Sequence, residues 1–568
     1  MPQTKEKKEK ITEDKINEKL DALLKSSGDV FTDRRRDAVL SIQGLYRKIP
    51  DYRRKGVIDR LLKLSSDKNE NVRYASLETL KNFINILPDD SDEILSGILK
   101  RIIAASYDKS TDIRKFAIRT IAELKLLFIE KDKDEVIKRI LALCDDSDDS
   151  VKISAALASG RFMDLMLPSA RRNIIENVIL LCRYDRGYDA WSVRNEAVKI
   201  FREELEYIPE TRMWAVAEEM FKLLDDEESV VKVSAIGFLE EIPDFITIDF
   251  GKEIILKLME LTKDKDWEVR AASVNAIITF RDFIPEKKTG EIVARFLKLG
   301  REEGWGVKRP CIHAFSELKK AIPGDLRKEV IELILNLSKD RDWYIKSPAA
   351  RVSGKLKEIT PDELKEEVIA MLITLSGDID WSVRRPAAQS LGELVEFIPQ
   401  PDADLVAEQL MKLCGDRDFG VRAFSILSLA RISQIVANVE KNKEMIQMAL
   451  KLCDDPDWSV RESALKSFKY FNYPEDSELV EKIVLKLLEL NDDSDWNVRS
   501  ASARVYGNLR KIIPEKMIPA IVKKLLKLAS ERDNNVKVSA VRSLRELKRR
   551  VPDEMVGEVD EVLKKSKS

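Results

Sequence analysis

One short pattern returns along the whole chain and limits what it can fold into; it is seen in one copy as Asp264, Asp266, Trp267, Val269 and Arg270. Its basic residue, which follows a Val or Ile in all but the first copy, marks fourteen copies: Arg35, Arg73, Arg114, Lys152, Arg194, Lys232, Arg270, Lys308, Lys346, Arg384, Arg422, Arg461, Arg499 and Lys537. Successive copies lie 38 to 42 residues apart. A period of that length belongs to stacked supersecondary units, each too small to bury its own apolar face. The 568 residues exceed what one compact core holds, and a single continuous array accounts for them without a dividing linker.

Each copy reads as two helices. In the seventh, Ile254, Ile255, Leu258 and Leu261 share one face of a first helix, and Asp264 to Asp266 interrupt it. Val269, Ser273, Ala276, Ile277 and Phe280 then lie inward on a second helix, which Pro285 is expected to close. Prolines recur at that place as Pro50, Pro88, Pro209, Pro323, Pro361, Pro399, Pro514 and Pro552. The aspartate three residues before the Val (Asp148, Asp266, Asp342, Asp380, Asp418, Asp457, Asp495, Asp533) is placed to cap the second helix. A second acid stands six residues before the basic anchor in every copy except the fifth, which has Tyr188, with Glu302 and Glu531 as variants of the usual Asp. Acid and base at fixed offsets predict a ladder between neighbouring repeats: Asp264, Arg270, Asp340, Lys346, Asp378, Arg384, Asp416, Arg422, Asp455, Arg461, Asp493 and Arg499.

These turns, with Asp followed six residues later by Arg or Lys in hairpins of about 39 residues, resemble the HEAT repeat and are most similar to those of the scaffold subunit of protein phosphatase 2A. The proline that many HEAT repeats carry in the first helix is generally missing here. The resemblance implies an all-α, right-handed α-α superhelix of about fourteen hairpins, first helices convex and second helices lining a concave groove. On this reading residues 1–12 form a flexible charged tail, 13–552 the solenoid, and 553–565 a C-terminal capping helix.

Catalytic chemistry finds few residues to work with. The one histidine, His313, falls in the body of a second helix and reads as a packed or half-exposed side chain. Cys144, Cys414 and Cys453 share a repeat position with Ser65, Ser106, Thr262, Ser338, Ser376 and Ala529, which marks a small packing site near the end of the first helix. Cys311 replaces a core alanine. The acidic turns at 145–149 and 492–495 lack the glycine and terminal glutamate of a calcium loop, and there is no phosphate-binding glycine loop. No enzyme activity, cofactor, metal or small-molecule substrate is expected. Ninety-nine basic residues against 101 acidic ones leave a net charge of -2, without the basic surplus of a dedicated nucleic-acid binder. No apolar run is long enough to span a membrane, and five scattered cysteines fit a reducing compartment, here the cytoplasm.

Partners are therefore expected to be proteins. Trp191, Trp267, Trp305, Trp343, Trp381, Trp458 and Trp496 stand two residues before the Val or Ile, with Phe419 in their place once. As a row they either pack on neighbouring turns or serve as aromatic anchors. Copies eight to ten add a proline, Pro310, Pro348 and Pro386, which is expected to bend the second helix or shift its start. The segment 305–386, with Trp305, Arg309, Trp343, Trp381 and Arg385, is the candidate docking surface. Nucleic-acid binding is the second reading, weakened because thirteen of the basic anchors have an acidic companion; a tubulin-binding TOG-like module is the third, set back by the even spacing.

Overall fold

The computed structural model describes residues 2–566 apart from 89, 90, 188, 303 and 474–476. Tyr188 and the side chain of Glu302, both at the ladder's acid position, lie outside the described residues. All regular structure among the described residues is helical. The chain divides into two compact units, Met1–Phe250 and Gly251–Ser568. The first holds six helix pairs, beginning with Pro2–Ser26 and Thr32–Leu45, and the second holds eight, followed by the helix Asp553–Lys565. The first helix takes in residues 2–12, the stretch expected as a tail.

In the seventh repeat the second helix runs Trp267–Thr279, and Val269, Ser273, Ala276, Ile277 and Phe280 are all fully buried. Pro285 does not close it. The helix ends at Thr279, a 3-10 turn at Arg281–Phe283 follows, and Pro285 is the N-cap of the next turn, Glu286–Lys288. Pro50, Pro209, Pro323, Pro361, Pro399, Pro514 and Pro552 likewise stand at N-caps that open the next repeat. An N-cap amide has no intrahelical partner to lose, and the fixed φ of proline suits the entry. Pro310, Pro348 and Pro386 do not shift their helices either: Trp305–Glu317, Trp343–Lys355 and Trp381–Glu393 all start at the tryptophan, as Trp267–Thr279 does without such a proline. Pro386 removes the amide that would bond the Ser382 carbonyl, and the Ser347 hydroxyl of the preceding repeat donates to that carbonyl at 2.7 Å.

Within each unit, second helices pack on one another more closely than first helices do, so the second-helix layer is the inner, concave side. Small residues permit this. A Cβ on Gly392 would come within 2.7 Å of the Ser428 Cα, and Ser390 Oγ donates to the Ala350 carbonyl of the preceding repeat at 2.7 Å.

The turns are wired in a repeating scheme. Asp380 caps Trp381–Glu393 by accepting the Ser382 amide, and all eight predicted cap aspartates accept an amide in this way. Asp378 accepts the Asp380 amide at 2.9 Å. Arg384 donates from Nη1 to the carbonyls of Asp378 and Ile379, both at 2.9 Å, and from Nε and Nη2 to Asp416 of the next repeat at 2.7 and 2.8 Å. Arg422 holds Asp455 and Arg461 holds Asp493 with the same fork, while Arg499 reaches Glu531 by a single 3.2 Å bond. In the first unit the forks are Arg35 to Asp67, Arg73 to Asp108, Arg114 to Asp146 and Arg194 to Asp226. Arg270 donates to the Asp264 and Lys265 carbonyls of its own turn. The lysines span with one ammonium: Lys308 to Asp340 at 3.2 Å, and Lys346 to Asp378.

A second set of bonds, not foreseen in the sequence, joins the first helices. Arg101 and Arg139 donate to the hydroxyl and the carbonyl of Ser65 and Ser106, and Arg295 does so to Thr262. The position read as small and packed is thus also a hydrogen-bond acceptor where it carries a hydroxyl.

Burial pushes the ladder carboxyls up, yet their bonds to the cation and the turn amide outweigh it, so Asp67, Asp108, Asp146, Asp340, Asp378, Asp416 and Asp493 all sit below the usual carboxylate range. A carboxyl whose folded pKa is lowered stabilises the fold above its unfolded value, about 3.9, and loses that contribution as pH falls through the folded value. The urea midpoint is therefore expected to hold steady down to about pH 5 and to fall below about pH 4. Arg384 and Asp416 are 17% and 10% exposed, so losing either one strands a poorly solvated charge. Arg384→Ala and Asp416→Ala should each lower stability by about 2 kcal/mol. The double variant should lose clearly less than the sum in a denaturant double-mutant cycle, whereas full additivity would mean that the charges are merely solvated.

Candidate functional site

The tryptophan row is neither fully packed nor free. Trp267, Trp305, Trp343, Trp381, Trp458 and Trp496 are between 40% and 58% exposed, each at the first residue of its helix. In the first unit Trp191 is half-buried. Both expected roles meet in the central copies. A Cβ on Gly306 would run into the six-membered ring of Trp267, so that indole rests closely against the turn of the next repeat. Its centroid is 6.0 Å from that of Trp305, which is 6.1 Å from Tyr344, and Tyr344 stacks on Trp343 at 3.7 Å. The result is a continuous aromatic floor over three repeats.

This floor opens into a cavity of about 800 Å³ running down the exposed face of Trp267–Thr279, Trp305–Glu317 and Trp343–Lys355. Trp305, Arg309 and Trp343 line it together, with Tyr344, Arg351 and Lys355. Trp381 and Arg385, the other two candidate docking residues, are not among its walls. Arg385 is half-buried, its guanidinium 4.9 Å from the Phe424 ring and against Gly420, so packing already occupies it. His313 is 58% exposed, the half-exposed alternative of the two expected, lines the same cavity, and places Nε2 3.8 Å from Glu317. Sequence reasoning missed Arg351 and Tyr344. Their signal was present, since Arg351 stands at the repeat position of His313, eight residues after the tryptophan, but only the neighbouring helices show that this position faces a cavity.

Little here favours bond-making chemistry. Burial pushes the thiols of Cys182, Cys414 and Cys453 well above their ordinary range and that of Cys144 up to about 11, which leaves them protonated and unreactive. Among the described residues no three His, Cys, Asp or Glu side chains gather as metal ligands, and no helix is long and apolar enough to cross a membrane.

Gly306 sets the position of Trp267. Gly306→Ala should displace the indole, change tryptophan emission and lower stability by about 1–2 kcal/mol. In a Trp267→Ala background the same change should have almost no effect on the unfolding midpoint, because the obstructing ring is gone.

Comparison with known proteins agrees with this architecture. Residues 369–469 match a family model described as HEAT repeats, and residues 57–87 one described as a HEAT repeat. No curated protein matches the sequence at a significant level. Among solved structures, importin beta in an ammonium sulfate condition is similar with a TM-score of 0.58 and 14% identity, over 95% of this chain and 73% of that one. Yeast importin-beta, Kap95p, is similar with a TM-score of 0.58 and 11% identity, over 96% and 76%. Kap121p bound to Pho4p gives a TM-score of 0.52 and 14% identity, over 97% of this chain and 63% of that one. At such identities the likeness is one of fold alone. Each unit thus contains a segment that matches HEAT repeats, and the helical hairpins of the chain share the fold of HEAT-repeat solenoids.

Proposed function

We propose that this chain is a non-enzymatic scaffold or adaptor that holds protein partners, with the segment 305–386 as its main docking surface. One observation carries the reading: a cavity of about 800 Å³ on the inner layer is lined by three tryptophans and a tyrosine. Exposed aromatic side chains of this kind are the usual anchors of protein interfaces, and an inner solenoid surface is where such folds receive partners. Solved proteins of similar fold have been captured with other proteins, Kap121p with Pho4p and Kap95 with Nup1. The turn sequences, similar to those of the phosphatase 2A scaffold, favour a role in assembling a multiprotein complex, although fold by itself fixes no function.

A nucleic-acid role is less well supported. Arginines that would line an edge for phosphates are engaged by carboxylates, as Arg384 is by Asp416 and Arg422 by Asp455. Affinity capture from the native cell with the full chain, followed by identification of bound proteins, tests the proposal. Trp343→Ala and Arg309→Ala should each remove the captured partner by about tenfold or more while helical circular dichroism stays unchanged. Arg385→Ala should act more weakly, through packing. Undiminished capture by the Trp343 and Arg309 variants would move the docking surface elsewhere, and turnover of a substrate by the purified chain would end the scaffold reading.

A further inference from the structure

Charges on this protein are nearly balanced, 99 basic to 101 acidic, but the central cavity is not. Its walls carry Arg309, Arg351, Lys355 and His313 and, among the described residues, include no aspartate or glutamate. Glu317 stands close by, 3.8 Å from His313 and 4.0 Å from Lys355, and goes some way to satisfy those two. Arg309 and Arg351 are exposed and enter no ion pair among the described residues; the Arg309 guanidinium lies over the Tyr344 ring, 6.0 Å from its centroid. Elsewhere in the same unit Arg384, Arg422 and Arg461 each hold a carboxylate by a fork.

We propose that this cavity takes an extended acidic segment of a protein partner, its apolar side chains on the Trp267, Trp305 and Trp343 floor and its carboxylates on Arg309 and Arg351. The inference rests on the docking role above and specifies the chemistry of what docks. Arg351 lies one helix across from Arg309 and one turn further along, so their Cα atoms are on the order of 11 Å apart. An extended chain covers that in about three residues, which brings two acidic side chains to two guanidinium forks with apolar residues between them. A planar, five-donor guanidinium is suited to grip a carboxylate bidentately. Stacked bases fit the site less well. The rings of Trp267 and Trp305 are tilted by 50° and those of Trp305 and Tyr344 by 32°, and Trp343 and Tyr344 already cover each other, so no parallel-walled slot is open to a base.

The experiment is selection of a displayed random peptide library on the full chain, alongside an Arg309→Glu/Arg351→Glu variant whose fold is checked by circular dichroism. Neither arginine supports the fold through an ion pair, so the variant should remain folded. The expected result is enrichment of peptides with two or more acids spaced by apolar residues, and about tenfold weaker retention of those peptides by the variant. Enrichment of basic or uncharged peptides would overturn this inference and leave the docking role standing; no enrichment would remove both. Acidic peptides held equally well by the variant would place the acid site elsewhere and overturn the inference. So would displacement of the selected peptide by a single-stranded RNA oligonucleotide that binds more tightly than the peptide at physiological salt.

Discussion

The bond between a guanidinium and the carboxylate of the following repeat meets three demands at once, and the stacking of the hairpins follows from it. A short turn between two helices leaves amides and carbonyls without partners. Asp378 and Asp380 take the amides, and Arg384 takes the carbonyls. The remaining face of the same guanidinium then reaches Asp416. Because the fork fixes distance and plane together, it helps set the register of the next hairpin, in which apolar residues such as Leu410 and Leu413 are buried, as Val383 is in its own. The ladder is local wiring extended by one bond.

Where the wiring changes, the packing changes with it. Lys308 and Lys346 each replace a fork with a single ammonium contact, which fixes direction less strictly than a planar group does. Those two copies also carry Pro310 and Pro348 and the closest aromatic contacts of the row. Trp267 against Gly306 and Trp305, and Trp305 near Tyr344, join neighbouring turns through apolar area in addition to these single charged contacts. Aromatic surface that tightens the stack from one face remains exposed on the other, so structural and binding roles share the same rings.

Features set by a single hairpin were legible in the sequence: the period, the buried face of each helix and the capping aspartates all depend on residues within a few turns of one another. The prolines were misread for a local reason. A residue that cannot continue a helix ends one or begins another equally well, and the intervening 3-10 turn at Arg281–Phe283 decides between these. What escaped notice spans repeats. The bonds from Arg101, Arg139 and Arg295 to Ser65, Ser106 and Thr262 need two first helices set side by side. Arg385 looked as available as Arg309 until Phe424 and Gly420 were found beneath it. The cavity itself needs three second helices, and no window of sequence contains them.

Stacking does not require the charge that the cavity carries. Four residues after the tryptophan the repeats place Arg309, Ser347 and Arg385, but also Glu462, which pairs with Lys466 one turn on at 2.7 Å. An acid at this position is therefore compatible with the same helix packing, and a glutamate in place of Arg309 would have neutralised the neighbouring cations. Eight residues after the tryptophan the choice is equally open, with Asn275, His313, Arg351, Gln389 and Lys466. Cations left without counter-charges repel one another, and exposed indoles forgo burial, so neither choice is the one that stability alone would make. The scaffold admits a neutral, less aromatic surface at these positions; the central repeats depart from it together, on one wall, where a negatively charged guest would restore the missing half of each pair.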